Sequence, residues 1–211
     1  MYIGIDFDNT IVCYDRVFHM VAREYEAIPE DLPATKESVR DFLRAAGRES
    51  EWTVLQGYVY GMRMGDAEPF PGVLDFLRRC RERGVATCVV SHKTRTPYLG
   101  PAYDLRGAAL GWMEACGLFE ADGIGLSRER VFWEPTKKDK LGRIGLLGCT
   151  HFIDDLPELL TDADFPAGVT PVLFAPAGPP AAAPGIVACA SWDQIGRHLL
   201  DGGADASFGH G

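Results

Sequence analysis

Features that would place a protein outside the cell, in a bilayer or on a polyanion are scarce in this sequence. Its six cysteines, Cys13, Cys80, Cys88, Cys116, Cys149 and Cys189, include no Cys-x-x-Cys pair and no ligand-like spacing with histidine. Most sit in apolar runs, where a free thiol behaves as a small hydrophobe. They are expected to stay reduced, as in a cytoplasmic protein. No apolar stretch approaches the ~20 residues of a membrane-spanning helix, so no membrane partner is expected. The first expected strand starts at Tyr2, and a signal peptide is not expected before it. Basic residues are outnumbered, with 21 Lys and Arg against 30 Asp and Glu and a net charge of −9. That balance argues against nucleic acid held on a generally basic surface, while a local basic pocket stays possible. No internal repeat is visible.

What is present is enough apolar material for a core. At 211 residues and 46% hydrophobic, the chain fits one packed domain with a small insert. "YIGID" (2–6) reads as a short buried strand of the kind found in parallel sheets. From about residue 14 to 68 the apolar period is helical, and Pro29, Pro33, Gly47 and Gly65 divide the stretch into three helices. The rhythm then becomes strand and helix in turn. "VATCVVS" (85–91), "RVFW", "HFIDD", "PVLF" and "IVACA" are strands, separated by a helix ending at Gly84, a helix over 105–116 and a short helix over 139–147. "WDQIGRHLL" closes the domain as a helix, "APAGPPAAAPG" (175–185) is a loop by composition, and 201–211 is expected to be a flexible tail.

Alternating strands and helices define an α/β class: a Rossmann-like parallel sheet with helices on both faces and right-handed crossovers. The expected division is a core of residues 1–13 and 70–200 with an all-helical segment, 14–69, inserted after the first strand. Ligands of such sheets gather beyond the carboxyl ends of the strands. Asp6, Ser91, Asp154 and Asp155 all fall at such ends and should converge on one edge. With Asp8, that edge would hold four carboxylates within a few ångströms. Like charges raise one another's pKa, and a hard divalent cation with oxygen ligands, Mg²⁺, resolves the conflict.

These residues resemble the motifs of the haloacid dehalogenase (HAD) superfamily, whose commonest members are Mg²⁺-dependent phosphatases. "DFDNT" (6–10) is similar to its DxDxT signature, Ser91 to its strand-end Ser or Thr, a lysine of "TKKDK" to its third motif and "FIDD" to its fourth. The four occur in the family order and span residues 1 to about 174. The resemblance implies a HAD-like core and roles for each residue. Asp6 would be the nucleophile that forms an aspartyl-phosphate. Asp8 would be the general acid and then the base, its backbone carbonyl touching the metal. Asp6, Asp8, Asp154 and Asp155 would make up the metal site. Ser91 would donate to the phosphoryl oxygens, and Thr10, His92 and Lys93 would lie near the substrate. The implied partner is a small phosphorylated metabolite, with a nucleotide as a sub-class. A phosphomutase and a non-catalytic binding protein of the same fold are the competing readings.

The resemblance also implies that 14–69 is a helical cap of the type called C1, covering the site. Arg16, His19, Tyr58, Tyr60 and Arg63 could face the cleft, and an aromatic sandwich drawn from Phe18, Trp52 and Tyr60 would mark a nucleotide site. The motif lysine could be Lys137 or Lys140, with Lys138 read as a surface residue. Lys140 is favoured because it immediately precedes the apolar face Leu141, Ile144 and Leu147.

Overall fold

The computed structural model describes residues 1–178 and 186–202. Most of the expected loop 175–185 and of the tail 201–211 therefore lies outside the described residues. Among the described residues, six parallel strands form one sheet: β1 (Tyr2–Ile5), β4 (Ala86–His92), β5 (Val131–Glu134), β6 (His151–Asp154), β7 (Thr170–Phe174) and β8 (Val187–Cys189). Their spatial order is β5-β4-β1-β6-β7-β8. The strand carrying Asp6 is thus central, flanked by the strands that carry Ser91 and Asp154. Ile5 lies level with Val89 on one side and Ile153 on the other.

Both sheet faces are buried, which explains the near-continuous apolar strands. Along β4, Cys88 and Val90 face one core while Val89 faces the other, the period of two expected of a strand. The smaller core packs α6 (Lys137–Leu146) and α7 (Pro157–Leu160) through Leu141, Ile144, Leu159 and Leu160. The larger holds α4 (Val73–Glu82), α5 (Leu105–Ala115) and α8 (Trp192–Leu200). Gly4 is required in β1 by close approach: a Cβ there would stand 2.6 Å from the Phe152 ring.

Between the first strand and α4 the chain forms α1 (Asp15–Glu24), α2 (Lys36–Ala45) and α3 (Glu49–Gly61). It leaves and re-enters through a two-stranded antiparallel ribbon, β2 (Val12–Cys13) with β3 (Glu68–Pro69). Phe18, Val39, Leu43, Trp52 and Val59 bury the inner faces of these helices in continuity with the larger core. None of the described helices is long and apolar enough to cross a membrane.

One boundary differs in a way that matters. The short helix expected over 139–147 begins two residues earlier, at Lys137, because Thr136 caps it: its Oγ1 accepts a hydrogen bond from the Asp139 backbone N–H. Lys140 therefore ends the first turn, on the buried face beside Leu141 and Ile144, where its place just before the expected apolar face put it.

Candidate active site

The site is built where β1 runs out. Asp6 continues the strand by donating its N–H to the Ile153 carbonyl at 2.9 Å. Strand alternation then sends Phe7 into the core, edge-on to Trp112 and Trp133 at 5.7 and 5.2 Å, and returns Asp8 to the edge. Asn9 takes a left-handed backbone with φ of 59°, a conformation that asparagine tolerates better than most residues. The Ile11 and Val12 N–H groups both donate to the Phe7 carbonyl, closing the turn.

Lys140 is the hub. Its ammonium, 2% exposed, donates to Asp6 Oδ1 and Asp154 Oδ2 at 2.6 Å each. Asp154 is fully buried, and its Oδ1 accepts from the Leu156 N–H at 2.9 Å. Burial alone would lower the pKa of Lys140, but the Asp6 and Asp154 carboxylates outweigh it and raise it. Burial carries Asp6 up to about 6 against the pull of Lys140, so it stays ionised at neutral pH. Asp155 has no cation as close. Burial, then the Asp6 and Asp154 charges, push it to about 8, and its Oδ1 accepts from Thr10 Oγ1 at 3.4 Å.

Oxygens of Asp6, Asp154 and Asp155 lie within 4.8 Å of one another. Three hard oxygen donors, two of them raised in pKa chiefly by burial, fit a small divalent cation. The expected fourth carboxylate is elsewhere. Asp8 accepts from the Tyr14 hydroxyl at 2.5 Å and from Lys93 Nζ at about 3 Å. These two donors turn its side chain away from the other acids, so a role for Asp8 at a metal would fall to its backbone carbonyl.

Ser91 is 1% exposed, two residues beyond the partner of Ile5. Lys93 is buried over the rings of Tyr60 and Phe7, at 4.9 and 5.5 Å. His92 is exposed, and its Nε2 contacts the Pro135 carbonyl at 2.9 Å. Lys137 is pulled aside by the Glu158 carbonyl and the Asp162 carboxylate, at 2.7 and 2.6 Å, and Lys138 is exposed.

A cavity of about 160 Å³ opens beside these residues. Asp8 and Lys93 line it together with Thr53, Gln56 and Tyr60 of α3 and Tyr98 of the loop after β4. Of the five residues proposed for the cleft, Tyr60 lines it. Arg16 pairs with Glu68, Arg63 with Glu24 and Asp66, His19 meets the Leu32 carbonyl, and Tyr58 packs edge-on to Tyr25 and Tyr103. Phe18 and Trp52 stack on each other at 4.9 Å in the core and do not form an aromatic sandwich with Tyr60 around the cavity.

Two residues near the acids were not anticipated. Tyr14 is buried, and its pKa is raised well above 10 by burial and the Asp8 charge. Lys36, the first residue of α2, donates to the Asn9 side-chain oxygen at 3.0 Å and lies over the rings of Tyr14, Phe18 and Tyr60. A lysine in the first turn of a helix is electrostatically unfavourable. Lys137 follows its cap Thr136 as Lys36 follows Thr35, and ends at the surface, so the sequence holds no signal that singles out Lys36.

No family model and no curated protein matches the sequence. Solved structures do match the fold. A HAD family hydrolase from Deinococcus radiodurans R1, with bound phosphate and sodium, superposes with a TM-score of 0.58 at 16% identity, covering 95% of each chain. A HAD hydrolase of family IA, variant 3, from Entamoeba histolytica gives 0.56 at 13%, covering 92% of this chain and 94% of its own. YfnB from Bacillus subtilis, bound to magnesium, gives 0.56 at 14%, covering 94% and 98%. The chain has the fold of the HAD-superfamily hydrolases.

Proposed function

We propose that the protein is a phosphomonoester hydrolase that works through an aspartyl-phosphate on Asp6. One observation carries this reading: Lys140 fixes the Asp6 carboxylate beside Asp154 and Asp155, with Asp8 one strand step further on at the mouth of a cavity. The proposed cofactor is Mg²⁺, held by Asp6, Asp154, Asp155 and the Asp8 carbonyl. When bound it supplies positive charge that offsets repulsion between an anionic nucleophile and an anionic substrate.

The chain's own residues do the rest. Lys140 holds Oδ1 of Asp6, leaving the other oxygen for in-line attack on phosphorus. Ser91 and Thr10 border the phosphoryl position, with Ser91 as hydrogen-bond donor to its oxygens. As the bond from phosphorus to the leaving oxygen breaks, its electron pair stays on that oxygen and Asp8 gives it a proton. In the second step Asp8 takes a proton from water, the water oxygen attacks phosphorus, and the bond to Asp6 breaks. Asp8 ends protonated, ready for the next turnover. Tyr14 and Lys93, both donating to Asp8, hold its side chain in place for both steps.

Residues 14–69 act as the cap, since α3 supplies one wall of the cavity. At about 160 Å³ the space is small against the 300–1,000 Å³ typical of drug-sized ligands. With no aromatic sandwich there, a small hydroxylated leaving group suits it better than a nucleoside. Six free thiols suit a reducing compartment, and we place the enzyme in the cytoplasm. Phosphate release from aryl and small alkyl phosphates, with Mg²⁺ and with EDTA, tests the proposal. Metal-dependent release supports it, and no release from any phosphate ester contradicts it.

A further inference from the structure

Lys93 belongs to none of the motifs, yet its placement is among the most constrained at the site. Its backbone N–H donates to the Glu134 carbonyl at 3.0 Å, and its own carbonyl accepts from Arg106 Nε at 3.0 Å. The side chain, 3% exposed, runs between the Phe7 and Tyr60 rings and ends at both oxygens of Asp8, 3.0 and 2.9 Å away. It also lines the cavity. A buried ion pair is a poor stabilising device, because desolvating both charges offsets their attraction. Its position has a chemical use instead: a fixed ammonium stands within one hydrogen bond of the proposed proton donor, facing the space where a leaving group would sit.

We propose that Lys93 is a catalytic residue that stabilises the leaving oxygen. This rests on the phosphatase reading and goes beyond it. As the phosphorus–oxygen bond breaks, negative charge builds on the departing oxygen. The Lys93 ammonium donates a hydrogen bond to it while Asp8 transfers the proton, and Lys93 keeps its own proton throughout. Such a device serves leaving groups that depart poorly. It therefore assigns the site to alkyl phosphates of small hydroxylated alcohols rather than to acyl phosphates or phosphoanhydrides, whose leaving groups carry negative charge easily. The aromatic walls strengthen the effect by keeping water from the ammonium. Thr53, Gln56 and Tyr60 offer polar groups for the hydroxyls of such an alcohol.

The test is the dependence of kcat/KM on leaving-group pKa, measured across substituted aryl phosphates and small alkyl phosphates in Lys93→Met, Lys93→Arg and the wild type. Removing one preorganised donor to a developing oxyanion costs about 10²–10³-fold. Lys93→Met should lose about that much on alkyl phosphates and less than about 10-fold on p-nitrophenyl phosphate, steepening the dependence. Lys93→Arg, which keeps the charge, should retain the wild-type slope even if its rates are lower throughout. Equal losses by Lys93→Met on all substrates would reduce Lys93 to a structural role and overturn the proposal, as would unchanged rates. A slope in Lys93→Arg as steep as in Lys93→Met also overturns it, and this variant decides the matter if Lys93→Met does not fold. A wild type inert on every phosphate ester is a different result, because it removes the phosphatase reading itself.

Discussion

Replacing Lys140 by Met keeps the apolar stem among Leu141, Ile144 and Phe152 but deletes the charge between Asp6 and Asp154. Breaking a buried pair by removing one partner typically costs about 3–5 kcal/mol. Proton uptake by Asp6, whose carboxyl is already raised to about 6, relieves part of the stranded charge and does so more readily as pH falls. Urea unfolding of wild type and Lys140→Met in EDTA should show that difference shrinking as pH falls. Lys137→Met, whose partners are the Glu158 carbonyl and Asp162 on the surface, should differ from wild type by less than about 1 kcal/mol at either pH. A Lys140→Met protein within about 1 kcal/mol of wild type at pH 7, or a pH-independent difference, would refute the ionised cluster as described.

Other consequences are open to measurement. Asp6 and Asp155 are raised to about 6 and about 8, so the folded metal-free chain holds protons that the unfolded chain has already released. Its stability should therefore fall as pH rises from about 4 to about 8. Mg²⁺ should stabilise it more at pH 8 than at pH 5, and thermal melts with equal stabilisation at both would contradict this. Asp8→Asn should slow alkyl phosphate hydrolysis by about 10²–10⁴-fold, and an unchanged rate would remove Asp8 from the chemistry. Tyr14→Phe removes a donor to Asp8 and to the Met64 sulfur without emptying the core. It should lower alkyl phosphate turnover while costing about 1 kcal/mol of stability, and full activity would make Tyr14 a packing residue only.

The sheet was legible in the sequence because both of its faces are buried: short apolar runs ending in acids can be read without knowing their neighbours. The three helices between residues 14 and 69 were legible from period and punctuation. Less legible was anything decided by a side chain's direction. Thr136 starts α6 two residues earlier than the apolar period implies, although that period did favour Lys140 as the lysine of the site. Four acids at strand ends suggested one cluster, but Tyr14, six residues further on, and Lys93, just past the neighbouring strand β4, draw Asp8 out of it. Which of the five cap residues would face the cleft was not legible for the same reason, and most are the surface or packing residues that their types suggest. Arg16 and Arg63 find surface carboxylates, whereas Lys36, unremarkable by type, is folded over the aromatic rings toward Asn9. Local pattern carries the backbone, and tertiary partners decide where a long polar side chain ends.

The central claim is that Asp6 is the atom donor of a covalent intermediate, and the most direct measurement is to find the phosphoryl group there. Wild type and Asp8→Asn, mixed with Mg²⁺ and an aryl phosphate and quenched in acid within a turnover, would be digested and mapped by mass spectrometry. The account predicts one phosphoryl group on the peptide carrying Asp6, more abundant in Asp8→Asn because activation of water is slowed, and none in an inactive Asp6→Asn. Turnover with no phosphoryl group on Asp6, together with an Asp6→Asn variant that still hydrolyses the ester, would contradict it.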